Sequence, residues 1–142
     1  MKQSLAFAEY PIYCLELGRD ETPFASVEAL CGYFRACIES HPTAVFIAEF
    51  DHYAHTQSLP EGHIDPSIRA ARNLVFCFGI SLSKPELLAC RPRSIGIAET
   101  ERGFFITFME TPMPVANAVM EDWALGLYQN PQPVSGQETH NL

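Results

Sequence analysis

The sequence predicts an α+β fold: a mostly antiparallel sheet with two main helices packed on one face, a two-layer sandwich. Apolar strand-like runs follow one another through short polar turns, which favours antiparallel pairing. Two longer segments repeat their apolar residues at helical spacing, enough to cover one face of a sheet. The 142 residues are 47% hydrophobic and 18% charged, sufficient for one core without disulfides or a structural metal.

The first element reads as a strand pair, Leu5 to Glu9 and Ile12 to Leu17, broken at Tyr10-Pro11. A polar turn, Gly18 to Pro23, precedes Val27, Leu30, Cys31, Phe34 and Ile38, whose spacing predicts a helix over 26–40. Ser26 is its N-cap, Glu28 lies in its first turn and His41-Pro42 ends it. The strand Thr43 to Asp51 is apolar on both faces, which predicts a strand that is central or covered on both sides. A long loop from His55 to Arg69 carries Pro60, Gly62 and Pro66. Asn73 to Ile80 is a second apolar strand, and Ser83 to Cys90 forms a short helix with Pro85 in its first turn. Ser94 to Glu99 and Phe104 to Glu110 flank the polar loop Thr100-Glu101-Arg102-Gly103 and read as a hairpin. Thr111-Pro112-Met113-Pro114 opens a helix to about Leu127 with Val115, Val119, Trp123 and Leu127 on one stripe. Residues 1–128 are expected to form a single domain, and the polar 129–142, with Pro131 and Pro133, a flexible tail.

The formal net charge of -8 argues against nucleic acid and anionic membrane surfaces, which attract basic faces. No apolar run reaches the roughly 20 residues that span a bilayer, and Met1 to Glu9 lacks the apolar core of a signal peptide. The five cysteines, Cys14, Cys31, Cys37, Cys77 and Cys90, are an odd number without a Cys-x-x-Cys pair. That pattern suits a reducing compartment, so a cytoplasmic protein is expected, with most of the thiols as small core residues.

Chemistry concentrates at two places. The apolar strand from Ala44 ends in Asp51-His52 with His55 after it. Two imidazoles and a carboxylate suit a divalent metal such as zinc or iron, with His63 of the following loop as a third nitrogen. Residues three apart share a helical face but point to opposite sides of a strand, so His52 and His55 converge only if the chain turns after Asp51. In the alternative reading Asp51 caps that turn, and alternation places His52 with Phe46 and Phe50 on a core face. The second place is Arg91-Pro92-Arg93 beside Cys90. Pro92 keeps Arg91 extended, so Arg91 and Arg93 project to one side and form a fork for a small anion. Internal pairing with Glu99 or Glu110, or activation of the Cys90 thiolate, are the competing uses. Glu99, Glu101, Glu110, Glu121 and Asp122 read as solvated acids.

The stretch from Ser26 to Trp123 resembles a bacterial family known as domain of unknown function 302. The resemblance rests on the helix opening Ser26-Val27-Glu28, the strand end Phe50-Asp51-His52, the strand end Val75-Phe76-Cys77-Phe78-Gly79, the Leu87-Leu88 pair, Pro92, and a closing hairpin followed by a helix. Ile80-Ser81 stands where that family usually has Asn-Pro. The resemblance implies a compact α+β domain, often a homodimer, in bacteria, and carries no activity with it.

Three functions follow from these residues. The first is a dimeric binding module holding a small anion or a metal near Asp51, His52 and His55, with Arg91, Arg93 and Cys90 at the second pole. The second is an enzyme using His52 or His55 as an acid-base group, with Cys90 as nucleophile. The third is an interaction protein whose surface is the hydrophobic hairpin. They are distinguished by whether His52, His55, Arg91 and Cys90 line one concavity.

Overall fold

Val27, Leu30, Cys31, Phe34 and Ile38 fall on one helical stripe, and the computed structural model, which describes residues 1–5 and 10–129, buries all five. Helix α1 spans Val27–Ser40, and Ser26 Oγ caps it by accepting from the Ala29 amide at 3.1 Å. The strands are β1 (Ile12–Gly18), β2 (Val45–Phe50), β3 (Ile68–Cys77), β4 (Arg93–Thr100) and β5 (Gly103–Met109). Two further helices are α2 (His52–Ser58) and α3 (Pro114–Leu125), and Pro85–Cys90 forms a 3-10 segment. Residues 6–9 of the expected first strand, and residues 130–142 of the expected tail, lie outside the described residues.

The strands make one antiparallel sheet in the order β1-β5-β4-β3-β2. This is the α+β sandwich that the sequence predicts. One sheet face presents Leu17, Leu74, Phe76, Ile95, Ile97, Phe104, Ile106 and Phe108 to α1 and to Ala116, Met120, Ala124 and Leu127 of the α3 region. Trp123 closes one end, its ring 5.8 Å from Phe76 and stacked on Phe78 at 5.7 Å.

Three sequence expectations are corrected. The strand after α1 is not central but an edge, paired with β3 alone, and Val45, Ile47 and Phe50 are 57%, 52% and 43% exposed. A register shift at Ile47 breaks its alternation: Phe46 stands opposite Phe76 on the helix-covered face, while Phe50 stands opposite Asn73 on the other. The inner stripe of α3 is Ala116, Met120 and Ala124, one residue on from the expected Val115, Val119 and Trp123, and Val115 is exposed. Apolar residues lie on most sides of this helix, so the sequence period alone does not single out its inner stripe. Of the five free cysteines only Cys31 is fully buried, whereas Cys14 is exposed.

Because α1 and α3 cover the same face, the opposite face is bare over most of its area among the described residues. Register places Phe50, Asn73, Gly96, Thr107 and Cys14 in one row across all five strands. Neighbouring rows hold Ala71, Ala98, Phe105 and Glu16, and Ala48, Val75 and Ser94. Ile12 and Met109 stand opposite each other at the β1–β5 end, 63% and 49% exposed. At one corner Leu82, Leu88, Arg91 and Pro92 border a depression of about 330 Å³ with Ile47 and Cys77.

Candidate functional site

Asp51 turns the chain. Its Oδ1 accepts from the Ala54 amide at 2.9 Å, so it caps α2, and part of the expected long loop is helix. His52 and His55, three apart, now share a helical face and bracket the Phe50 ring, each with its centroid 5.6 Å away. Both imidazoles are exposed, which corrects the core-facing placement of His52. The shift at Ile47 is the cause, since it turns Phe50 and its followers outward.

The other oxygen of Asp51 joins a structural ion network. Arg72 on β3 reaches Glu49 Oε2 at 2.8 Å, Glu28 Oε1 on α1 at 3.0 Å and Asp51 Oδ2 at 3.7 Å. The hydrogen bond that Arg72 donates to Glu49, with the charges of Glu28 and Asp51, holds the guanidinium above its ordinary pKa. His63 is exposed in the loop after α2. Among the described residues no group of three His, Cys, Asp or Glu side chains gathers where a metal ion could sit.

Arg91 and Arg93 do not form a fork. Arg93 stands opposite Phe76 on the helix-covered face and is only 5% exposed. Its guanidinium donates to the Met109 carbonyl at 2.6 Å, Asn117 Oδ1 at 3.1 Å and Thr111 Oγ1 at 3.2 Å. Asn117 in turn accepts from the Thr111 amide and donates to its carbonyl at 2.6 Å. Arg93 therefore ties the end of β5 to α3, and burial pushes its pKa down while the charge of Glu110 works the other way. Arg91 reaches Met113 Sδ at 2.9 Å, across the cis Arg91–Pro92 peptide. Glu99 is taken by Arg19, at 2.9 Å. Cys90 Sγ meets the Tyr10 hydroxyl at 3.6 Å.

The predicted site residues are thus divided between the two ends of β2. Arg93 is level with Phe76 and Phe46 near its start, whereas His52 and His55 follow its finish. Arg91 borders the depression beside Ile47 and Cys77, and neither histidine lines it.

A different group of residues borders a larger, open cleft. This cleft, of about 840 Å³, lies beside β1 and α3, with Tyr10, Ile12, Tyr13, Glu110, Asn117 and Glu121 along it. Glu110 is not a solvated acid: its Oε2 is buried without a hydrogen-bond donor, and the Glu121 carboxyl is its close neighbour. Burial, then contact with Glu121, raises the Glu110 pKa above its ordinary 4.5, against the pull of Arg93. Tyr13 is raised as well, first by burial and then by the charges of Glu121 and Glu110.

Alternation contained this signal. Arg93 precedes Ile95 and Ile97 by steps of two, and Glu110 follows Phe104, Ile106 and Phe108 in the same way, so both fall on the buried face. Asn117 and Glu121 lie four apart on one face of α3. Only the pairing of β1 with β5, from opposite ends of the chain, brings Tyr13 to them.

A raised carboxyl pKa has a definite sign in stability. The protonated Glu110 stabilises the fold fully below the unfolded value near 4.5, and the contribution is lost as pH rises through the folded value. Urea denaturation between pH 5 and 8 is expected to show stability falling with rising pH, and the slope is expected to shrink in Glu110→Gln. Equal slopes would assign the pH dependence elsewhere.

Among the described residues no helix is long and apolar enough to cross a membrane. No curated protein and no solved structure matches the chain. A family model described as a family of unknown function, DUF6858, matches residues 1–129. It is not the 302 family that the strand-end motifs resemble. With the match spanning most of its length, the chain belongs to the family of unknown function DUF6858.

Proposed function

We propose that this protein is an interaction module that pairs with a second copy of itself through the bare face of its sheet. The observation that carries the reading is the charge pattern of that face. Among its register-paired positions in the described residues, Glu16 is the one charged side chain, in a chain with 17 acids and a formal charge of -8. Two acidic copies repel one another across most of their surfaces, and this face is spared. A two-fold axis through it sets Ala, Gly, Ser, Val and Phe side chains against their own kind, an isologous and self-complementary contact. Five strands about 4.8 Å apart and about seven residues long present roughly 24 by 24 Å. That is on the order of 600 Å² in projection, comparable with the roughly 800 Å² each partner contributes to a standard interface.

Sedimentation equilibrium on the full chain tests the reading, with an expected mass of twice 15.9 kDa. Val75→Arg, at the middle of the face, places an unpaired charge in the contact and is expected to give a monomer with an unchanged circular dichroism spectrum. A wild-type monomer at about 100 μM, a concentration at which micromolar pairing would be nearly complete, refutes the reading. So does a Val75→Arg protein that remains dimeric.

A further inference from the structure

The depression at the corner of β2 and β3 differs from the rest of the bare face in its chemistry, because a cation stands in its border. Three large aliphatic side chains surround it, Ile47, Leu82 and Leu88, which are 52%, 58% and 60% exposed. Cys77, Pro92 and Arg91 continue the border, and among the described residues no acidic side chain lines it. The Arg91 amide donates to the Leu88 carbonyl at 3.3 Å, which ties these two residues into one turn at the end of the segment begun by Pro85. The Arg91 side chain differs from its counterparts. Arg19, Arg35, Arg69 and Arg72 each meet a carboxylate, and Arg93 meets three oxygens. Among the described residues Arg91 donates only to Met113 Sδ, at 2.9 Å, an uncharged and weak acceptor. Most of its N–H groups and its whole charge are unmatched, in a chain with 17 acids and 9 basic residues. Arg102 also lacks a carboxylate, but it is exposed in the polar loop of the β4–β5 hairpin.

We propose that this depression binds a small aliphatic monocarboxylate, its chain on Ile47, Leu82 and Leu88 and its carboxylate on the Arg91 guanidinium. Charge complementarity selects the occupant. One unmatched cation calls for one negative charge, and a planar carboxylate accepts two parallel N–H bonds from a guanidinium. The formal charge of -8 repels an anion from most of this surface, so an aliphatic acid is held where an unmatched cation and exposed aliphatic side chains coincide. Covering those side chains contributes apolar burial that acetate or an inorganic anion lacks. The volume of about 330 Å³ is at the small end of the range for ligand sites and suits roughly eight to ten heavy atoms. A ligand of that size is expected to bind with a dissociation constant of about 1 mM.

The probe is hexanoate, titrated into the full chain at pH 7 and followed by amide NMR, with hexanamide as its neutral isostere and acetate as the head group alone. Hexanoate is expected to shift the amides of Ile47, Leu82, Leu88 and Arg91, and hexanamide and acetate to bind about ten-fold or more weakly. Arg91→Gln is expected to weaken hexanoate by about ten-fold and to leave hexanamide unchanged. The comparison of the three probes uses the unaltered protein, so it does not depend on whether the variant folds. Equal binding of hexanoate and hexanamide overturns the inference, as does hexanoate binding unchanged in a folded Arg91→Gln protein. No shift at about 20 mM hexanoate, where a millimolar site is more than nine-tenths occupied, overturns it as well. So do shifts confined to other residues. Sedimentation decides the pairing of copies separately, so either result stands without the other.

Discussion

Replacing Phe76 with alanine is expected to lower the free energy of unfolding by about 3–5 kcal/mol. This ring is fully buried near the C-terminal end of β3, opposite Phe46 and Arg93. It meets Phe78 edge-on at 5.5 Å and Trp123 at 5.8 Å, so it joins the sheet to the end of α3. Truncation removes apolar contact and leaves a void between rings too large to collapse into it. Urea denaturation followed by Trp123 fluorescence measures both the stability and the local packing. A loss below about 1 kcal/mol would mean that the layers close around the void and that the aromatic cluster does not join them.

The second large effect is expected at Arg93. Arg93→Ala removes the guanidinium donor from the Met109 carbonyl, leaves Asn117 Oδ1 with the Thr111 amide alone, and takes the opposing charge away from Glu110. Leaving buried acceptors unpaired and an acid pair uncompensated costs on the order of 2–4 kcal/mol at neutral pH. The loss is expected to be smaller at pH 5 than at pH 7.5, because Glu110, whose pKa is raised, needs no cation once protonated. Denaturation at the two pH values checks this, and equal losses would separate Arg93 from the acids. Arg91→Ala is the control, since Arg91 is half-exposed and contacts a thioether, with an expected loss under about 1 kcal/mol.

Local pattern revealed most of the layer architecture. The α1 stripe, its Ser26 cap, the β4–β5 hairpin and the short segment begun by Pro85 are local features, each settled by residues within a few positions of one another. Their side-chain periods match their backbone periods, so nothing distant needs to overrule them. The edge position of β2 was not legible in this way. An apolar run reads alike whether it sits at the centre of a sheet or at its margin, and the strand order β1-β5-β4-β3-β2 is a property of long-range pairing. The same limit applies to His52. Alternation carried it to the core, and one extra residue at Ile47 reversed the faces from there onward.

The candidate site divides along the same line. Asp51, His52 and His55 stood out because their residue types are unusual at a strand exit, yet Asp51 is occupied by the α2 amide and Arg72. Arg93 stood out as half of an anion fork with Glu110 among its candidate partners, and plain alternation, two steps from an isoleucine or a phenylalanine, already put both on the buried face. The sequence by itself determined the elements, their capping and which faces they bury, because these depend on neighbours one to four residues apart. Tertiary structure alone decided that β1 closes onto β5, that Glu121 meets Glu110, and that one face of the sheet remains bare among the described residues. Those contacts join positions up to about a hundred residues apart, where no local period acts and only the pairing of whole strands and helices brings the groups together.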